Sequence, residues 1–406
     1  MLKNFIKLFI AQKLLIALTL TIAFVWSMGD LLPYDIKSGL YSISLSIKWL
    51  ITFIIPGMII IFMSSALSSL NKGAFLFIII LISLVLLSNF AAVLFSYGFF
   101  NLAVDNLEAT KPTASETQSL QALWQMPTFS LLKNDTALLL GLGLGLTASF
   151  WKNPRLNSGL EWLKKAMGQV VKFVILPLLP IFVLGSMLKL QHDNILNHIL
   201  VTYDKVFLFF CLGQVVYTIL LFLLAAGFSR NLFSKYIKNI FPAFITGLTT
   251  ISSAATMPVT ISATEKNTGS TKLAHTIIPA TVNIHLLGTA IGMNILILST
   301  FSIFGYGIPE FSAYLPYALY FAVAQLAVMG VPGGSVFTMM PVVEAHLGAT
   351  PEMLALISTM VILFDPFDTS INVSCNGAFA IIFRKVLRIW SKVSTTTAAL
   401  LLKDLS

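Results

Sequence analysis

Long apolar runs alternate with short polar ones along the whole of this chain. A helix needs about 20 apolar residues to cross a bilayer, and runs of that order fall at residues 5–26, 41–70, 74–100, 137–151, 167–188 and 203–228. Pro56 in the second run, and Pro177 with Pro180 in the fifth, predict kinks. Alternating glycines in the fourth, beginning with Gly141, predict close contact with a neighbouring helix. Lys72 and Gly73 read as a short turn, residues 105–130 as a sizeable external loop, and residues 152–165 as an interfacial connector carrying Trp162.

From residue 241 onward the pattern changes. Residues 242–264 are apolar enough to enter a membrane, but the hydroxyl-rich run at residues 249–260 is expected to break the helix, with Pro258 near its end. Lys235 and Lys238 precede this segment and Lys266 and Lys272 follow it, so both flanks belong on one side of the membrane. A re-entrant hairpin opening to the cytoplasm meets both conditions, because irregular backbone at membrane depth is tolerated only against protein or a cavity. Residues 276–304 form a span with a polar interruption at residues 279–289. Residues 314–347 are interrupted by M-G-V-P-G-G-S and flanked by Glu310, Glu344 and Glu352 rather than by basic residues, which predicts a second hairpin entering from outside. Two broken segments of opposite orientation, each followed by a span with a polar middle, are the pattern of inverted repeats in secondary transporters.

The last long apolar segment holds the densest chemistry. Within I-L-F-D-P-F-D-T-S-I-N-V-S-C-N-G-A-F-A lie Asp365, Asp368, Thr369, Asn372 and Asn376, spaced i, i+3, i+4, i+7 and i+11 on one side of a helix. Carboxylates at membrane depth are expensive and face protein or a water-filled cavity. The stripe is therefore either a binding face or polar glue between helices. No Lys or Arg lies deep in a neighbouring segment to make Asp365 half of a structural ion pair. Glu344 and His346 are expected to be solvated, and Met339 with Met340 to be packing.

Composition agrees with the pattern. Of 406 residues 57% are hydrophobic and 10% charged, against about 25% charged in a soluble domain. The net charge of +9 is spread over alternate ends of the apolar segments, with Lys3, Lys7, Lys13, Lys152, Arg384 and Arg388 on one side. This is the positive-inside asymmetry; it places both termini in the cytoplasm and orients helices rather than recruiting nucleic acid. Cys211 and Cys375 both fall in apolar segments, so neither a disulfide framework nor a metal site is expected. Residues 1–26 are too long in their apolar run for a signal peptide and read as the first span.

The order S-S-A-A-T-M-P-V-T, A-T-V-N, G-V-P-G-G, then D-P-F-D-T-S-I-N-V resembles the dicarboxylate/amino acid:cation symporter family, of the glutamate-transporter type. The resemblance is densest over residues 249–377. It implies an all-α polytopic membrane protein with eight transmembrane helices and two opposed re-entrant hairpins, working as an elevator and assembling as a homotrimer in a bacterial inner membrane. Residues 1–72 would be the first part of a scaffold (spans one and two) and 131–200 its second part (spans four and five). Residues 73–130 would hold the third span and external loop, 201–390 the transport domain, and 391–406 a cytoplasmic tail. Carried over by position, the substrate would meet Ser252 and Ser253 at the first hairpin tip and Val331, Gly334 and Ser335 at the second. Asp365 would hold its amino group with help from Thr369, and Asn372 its α-carboxylate, with Asp368 beside them. Thr281, Asn283, Asn372 and Asn376 would bind the coupling cation.

Departures from the family pattern refine the expectation. Members that carry acidic substrates have an arginine where this chain has Asp368. An aspartate there repels a second carboxylate by roughly 4 kcal/mol at about 4 Å and an effective dielectric of about 20. A small neutral amino acid, serine- or threonine-like, is the expected substrate; a cationic one is second, and an acidic amino acid or dicarboxylate is the alternative. Aspartates of sodium-coupled relatives stand near the positions of His285 and Asn376. Fewer coupled sodium ions, or a proton with His285 as the candidate titrating group, would follow. His285 read alone is equally a hydrogen-bonded packing residue, and no cofactor is expected. An ion channel needs a continuous pore, and an aspartyl hydrolase draws its dyad from two helices. Asp365 and Asp368 share one helix, which leaves the transporter reading ahead of the channel and both ahead of an enzyme.

Overall fold

In this computed structural model the described residues are 2–68, 75–103, 119–127, 132, 134–150, 154–193, 196–328 and 334–393. Among them there are helices and connectors and no strand. Much of the expected external loop, the turn at Lys72 and Gly73, Val331 with the rest of the second hairpin tip up to residue 333, and the tail beyond residue 393 lie outside them.

The helices run α1 Leu2–Met28, α2 Tyr34–Ser68, α3 Phe75–Ala103 and α4 Asn134–Phe150. Next come α5 Pro154–Val170, α6 Leu176–His192 and α7 Leu196–Ala226, followed by α8 Arg230–Thr250, α9 Ser253–Thr268, α10 Thr271–Thr281 and α11 Leu287–Ile303. The chain closes with α12 Phe311–Ala324, α13 Gly334–Leu347 and α14 Pro351–Val393. Five stretches among the described residues are helical, long and apolar enough to cross a membrane: Tyr34–Ser65, Ile79–Leu102, Arg155–His192, Asp204–Ala226 and Pro351–Ile389. This is a multi-pass membrane protein. At 43 residues α14 is about 64 Å long, roughly twice the hydrocarbon thickness.

Residues 154–165 of the expected connector are helical, and the helix runs without a break through the π-helical turn Val171–Ile175 into α6. That wide turn ends just ahead of Pro177 and Pro180, whose missing N–H groups leave carbonyls of the preceding turn without donors. Residues 242–264 fold as a hairpin of α8 packed on α9, with the break at Ile251 and Ser252, inside the hydroxyl-rich run and beside the expected tip; α9 carries Pro258 within its length.

The break has local causes. Thr249 and Thr250 turn their hydroxyls back on the carbonyls of Ile245 and Thr246, at 3.0 and 2.7 Å. Ile251 then caps α8 in the left-handed region at φ +51°, an unfavourable conformation for a β-branched residue. Ser252, in extended backbone, caps α9 by accepting the Ala255 N–H at 3.3 Å.

A second break separates α10 from α11 at residues 282–286, inside the predicted polar interruption. Unwinding leaves Ile284 O without a helical donor, and Asn89 Nδ2 of α3 supplies one at 2.9 Å. Gln325 Nε2, just past α12, adds a bond at 3.0 Å to Leu286 O, which also accepts the Ala290 N–H at 2.8 Å.

Packing gathers the helices around two long ones. α2 packs on α4, α5 and α6, and α1 on α6. α14 packs on α7, α8, α9 and α11, with α3 laid against α11 and α12. Of the alternating glycines, Gly141 meets α2 at Met63, Ile60 and Ile59, where a β-carbon would stand 3.0 Å from the Met63 side chain; Gly143 faces open space. Polar ties cross between the two groups. Lys48 Nζ of α2 pairs with Glu344 Oε1 of α13 at 2.6 Å, and Tyr41 Oη of α2 donates to Glu352 Oε1 of α14 at 2.6 Å. Glu344 is therefore paired rather than simply solvated, and His346 stacks on Tyr320 with centroids 4.3 Å apart. Met339 and Met340 are buried, as packing residues should be.

Candidate functional site

The polar stripe of α14 splits into two adjacent faces. Asp365 and Thr369, one turn apart, share the first, with Thr369 Oγ1 donating to Asp365 Oδ1 at 3.4 Å. Asp365 is half-buried and Thr369 buried. Asp368, Asn372 and Asn376 form the second face, all buried against the broken α10–α11 helix or α7.

Each residue of that second face has a definite partner. Asp368 Oδ1 accepts from Gln214 Nε2 of α7. Asn372 Oδ1 accepts from the N–H groups of Gly288 (2.8 Å) and Thr289 (3.3 Å), and its Nδ2 donates to Thr289 Oγ1 at 3.1 Å. The first N–H groups of α11 have no partner within their own helix, so an amide oxygen is a natural cap for them. Asn376 Oδ1 lies 2.8 Å from His285 Nδ1.

His285 is completely buried in the unwound stretch. An amide oxygen only accepts, so with this placement of the Asn376 amide Nδ1 carries the hydrogen. The other ring nitrogen, Nε2, lies 3.0 Å from Ser88 Oγ of α3, which can donate to a neutral ring or accept from a charged one. Phe379 of α14 covers the ring at 4.4 Å between centroids.

Several buried polar atoms here keep no partner among the described residues: Asn89 Oδ1, Thr264 Oγ1, Gln325 Oε1 and Asn376 Nδ2. They lie on α3, on α9, just past α12 and on α14. Leaving such a group unsatisfied costs about 1–3 kcal/mol each, and natural structures keep few of them unless a function uses them.

The remaining predicted residues fall as follows. Ser252 and Ser253 sit half-buried at the first hairpin tip, at the N-terminus of α9. Gly334 is buried and Ser335 half-buried at the start of α13, and Val331 is outside the described residues. Thr281 is buried with its hydroxyl donated to Ile277 O at 2.9 Å, while its carbonyl accepts from the N–H groups of Ile284 and His285 at 3.0 and 2.9 Å. Asn283 is exposed on the crest of the unwound stretch, away from the buried cluster of His285 and Asn376. The structure thus joins His285 to Asn376 and Asp365 to Thr369, and leaves Asn283 apart.

Gln214, Ser88, Asn89, Gln325 and Thr289 escaped the reading of the sequence. For the first three there was a signal: Gln214 is a lone amide in the apolar run at 203–228, and Ser88 and Asn89 are adjacent polar residues in the run at 74–100.

Residues 10–386 match the model of the family described as the sodium:dicarboxylate symporter family. The chain is similar to an excitatory amino acid transporter of Caenorhabditis elegans, 30% identical over 139 residues, which are 34% of this chain and 27% of that protein. It is also similar to an uncharacterized symporter of Haemophilus influenzae, 29% identical over 239 residues, 55% of this chain and 50% of that one. The chain spans half or less of the length of each of these relatives.

Proposed function

The chain belongs to the sodium:dicarboxylate symporter family, and we propose that it is a secondary active symporter importing a small amino acid, serine- or threonine-like by preference. The observation that carries this reading is Asp368, an acidic side chain buried in the α14 stripe and bonded to a neutral amide, with no ion pair to it among the described residues, where a substrate carboxylate would find no cationic partner. A second carboxylate on the substrate would be repelled, a neutral side chain tolerated, and a cationic one attracted.

In this reading the N–H groups at Ser252 and Ser253 face the substrate carboxylate, Asp365 with Thr369 takes its ammonium, and the second hairpin tip, ending at Gly334 and Ser335, gates the site from outside. Asn372 offers its amide to the α-carboxylate through the Nδ2 hydrogen that Thr289 leaves unused. The coupling ion is sodium or a proton. Carbonyls of the unwound stretch with Asn372 and Asn376 would suit sodium; His285, standing where relatives carry an aspartate, would suit a proton. The group built on α1, α2, α4, α5 and α6 would be a trimerising scaffold of spans one, two, four and five. The group around α14 would be the moving transport domain, in a bacterial inner membrane with both termini cytoplasmic.

The family's description and the name of the C. elegans relative favour a second reading, a dicarboxylate or acidic amino acid as substrate. Uptake of labelled serine, arginine and glutamate into proteoliposomes, each under an imposed sodium or proton gradient, separates the two. Serine or arginine uptake with glutamate excluded is the expected result, and glutamate uptake overturns the charge argument. Uptake unchanged when choline replaces sodium removes sodium coupling and leaves the proton.

A further inference from the structure

The α7 helix contributes one polar side chain to the α14 cluster. Gln214 is buried, and its Nε2 is shared between Asp368 Oδ1 and Gly288 O, the latter at 3.2 Å. The same Gly288 donates its N–H to Asn372 Oδ1 at 2.8 Å. One amide of α7 is thereby bonded directly to Asp368 and linked through a single residue of α11, Gly288, to Asn372 of α14. The fit leaves no slack. At Gly292, one turn further along α11, a β-carbon would collide with Asp368 Oδ1, Gln214 and Phe210.

We infer that Gln214 is a specificity-determining residue, holding the Asp368 carboxyl in place beside α11 with a neutral donor in place of an ion-pair partner. The inference rests on the amino acid reading above and names the residue through which that site would set its charge class. A neutral amide donor fixes the Asp368 carboxyl without an ion pair, so the charge balance at this point of the cluster is set by what stands at position 214. A lysine there would add a positive charge beside Asp368, and a glutamate a second acid. Gln214 need not touch the substrate; it is a positioning residue, and its signature is a change of preference rather than a uniform loss of transport.

The test is counterflow of labelled glutamate, serine and arginine in proteoliposomes carrying the full chain, comparing wild type with Gln214→Lys, Gln214→Glu and Gln214→Asn. Q214K is expected to raise the glutamate-to-serine ratio about tenfold or more, and Q214E to lower it while raising arginine over serine. Q214N keeps the amide and withdraws it by one methylene; it should raise the apparent KM for serine and keep the wild-type order of preference. Opposite responses to K and E are beyond a purely structural residue, which would depress all three substrates alike, and either charged variant gives the sign if the other fails to insert. Ratios unmoved in the charged variants, with serine still carried by wild type, overturn the assignment of Gln214. A wild-type carrier that exchanges none of the three overturns the amino acid reading, and this inference with it.

Discussion

The bundle around α2 and the one around α14 both bury polar side chains, but of different kinds. Around α2 they are mostly hydroxyls, which close on nearby carbonyls. Ser44 Oγ donates to Phe182 O at 2.6 Å, with Ser186 Oγ 2.8 Å away, and Ser64 Oγ donates to Gly141 O at 3.1 Å. Around α14 they include amides, a carboxylate and an imidazole: Asn89, Gln214, His285, Asn372, Asn376 and Asp368. A hydroxyl satisfied by a backbone carbonyl needs nothing more and works as packing glue. A primary amide offers two donors and an acceptor, and several of these retain an atom with no partner among the described residues. The α2 bundle is finished at its hydroxyls, with Asn157 Oδ1 of α5 and Gln191 Oε1 of α6 its partnerless buried atoms among the described residues; around α14 such atoms gather beside a carboxylate and an imidazole.

The largest effect that contrast predicts is at Asp365. Asp365→Asn keeps the shape of the side chain and removes its charge. Losing one member of a buried charge pair with the substrate costs about 3 kcal/mol or more, about a hundredfold in uptake or greater. The variant should reach the membrane at wild-type levels, measured by surface labelling. Substantial uptake by it would take Asp365 out of the site.

Next in size is His285→Phe, which keeps an aromatic ring under Phe379 and removes both polar contacts. Ser88 Oγ and Asn376 Oδ1 lose their partner, which should cost about 2–4 kcal/mol of stability, read by thermal unfolding in detergent. The same variant separates the coupling ions. Proton-driven uptake that survives H285F excludes the imidazole as carrier, whereas uptake driven only by sodium afterwards assigns the proton to it.

How much of this was open to reading from the chain depended on what each feature needs. The hairpins and the broken α10–α11 span were legible because a polar or proline-rich interruption in an apolar run is a local signal. The first tip was expected at Ser252 and Ser253, and there Ser252 supplies a cap while Thr249 and Thr250 divert their hydroxyls; that α9 would carry Pro258, a strong helix breaker on paper, was not legible. The α14 stripe was visible by its spacing, but the 60° or so between Asp365 and Asp368 places them on different faces, and only the packing of α7 and α11 reveals which face is which. Gln214 was visible only as a lone amide; its partners depend on helix rotation, which no spacing rule fixes. Lys48 went unread inside the apolar run at 41–70 and Glu344 was expected to be solvated; their pairing, across 296 residues, was not legible.

Lys48 and Glu344 sharpen the contrast at the boundary between the two bundles. Both side chains are partly exposed, so the coupling energy from a Lys48→Met and Glu344→Gln double-mutant cycle should be about 1 kcal/mol or less. If the two groups slide as proposed, the pair that ties α2 to α13 would be severed in each cycle, and its effect on transport rate would exceed its effect on stability. Each single variant and the double are then expected to change turnover alike, by about twofold to fivefold. Additive changes in turnover would mean that the pair does not act as a tie.

The smallest effect belongs to the hydroxyls of the α2 bundle. In Ser44→Ala the carbonyl of Phe182 keeps its place within α6, and Ser186 can turn its hydroxyl elsewhere on the helix, so no buried acceptor is stranded. Hydroxyl bonds between membrane helices average about 0.6 kcal/mol, and the loss should stay near that value, with uptake within about twofold of wild type. Asn376→Ala provides the matched case: it removes a side chain of the other kind, strands His285 Nδ1, and should cost several times more. Equal effects from the two substitutions would erase the distinction between glue and site, since burial alone, and not the unspent bonding capacity of amide and imidazole, would then set how much a polar residue matters here.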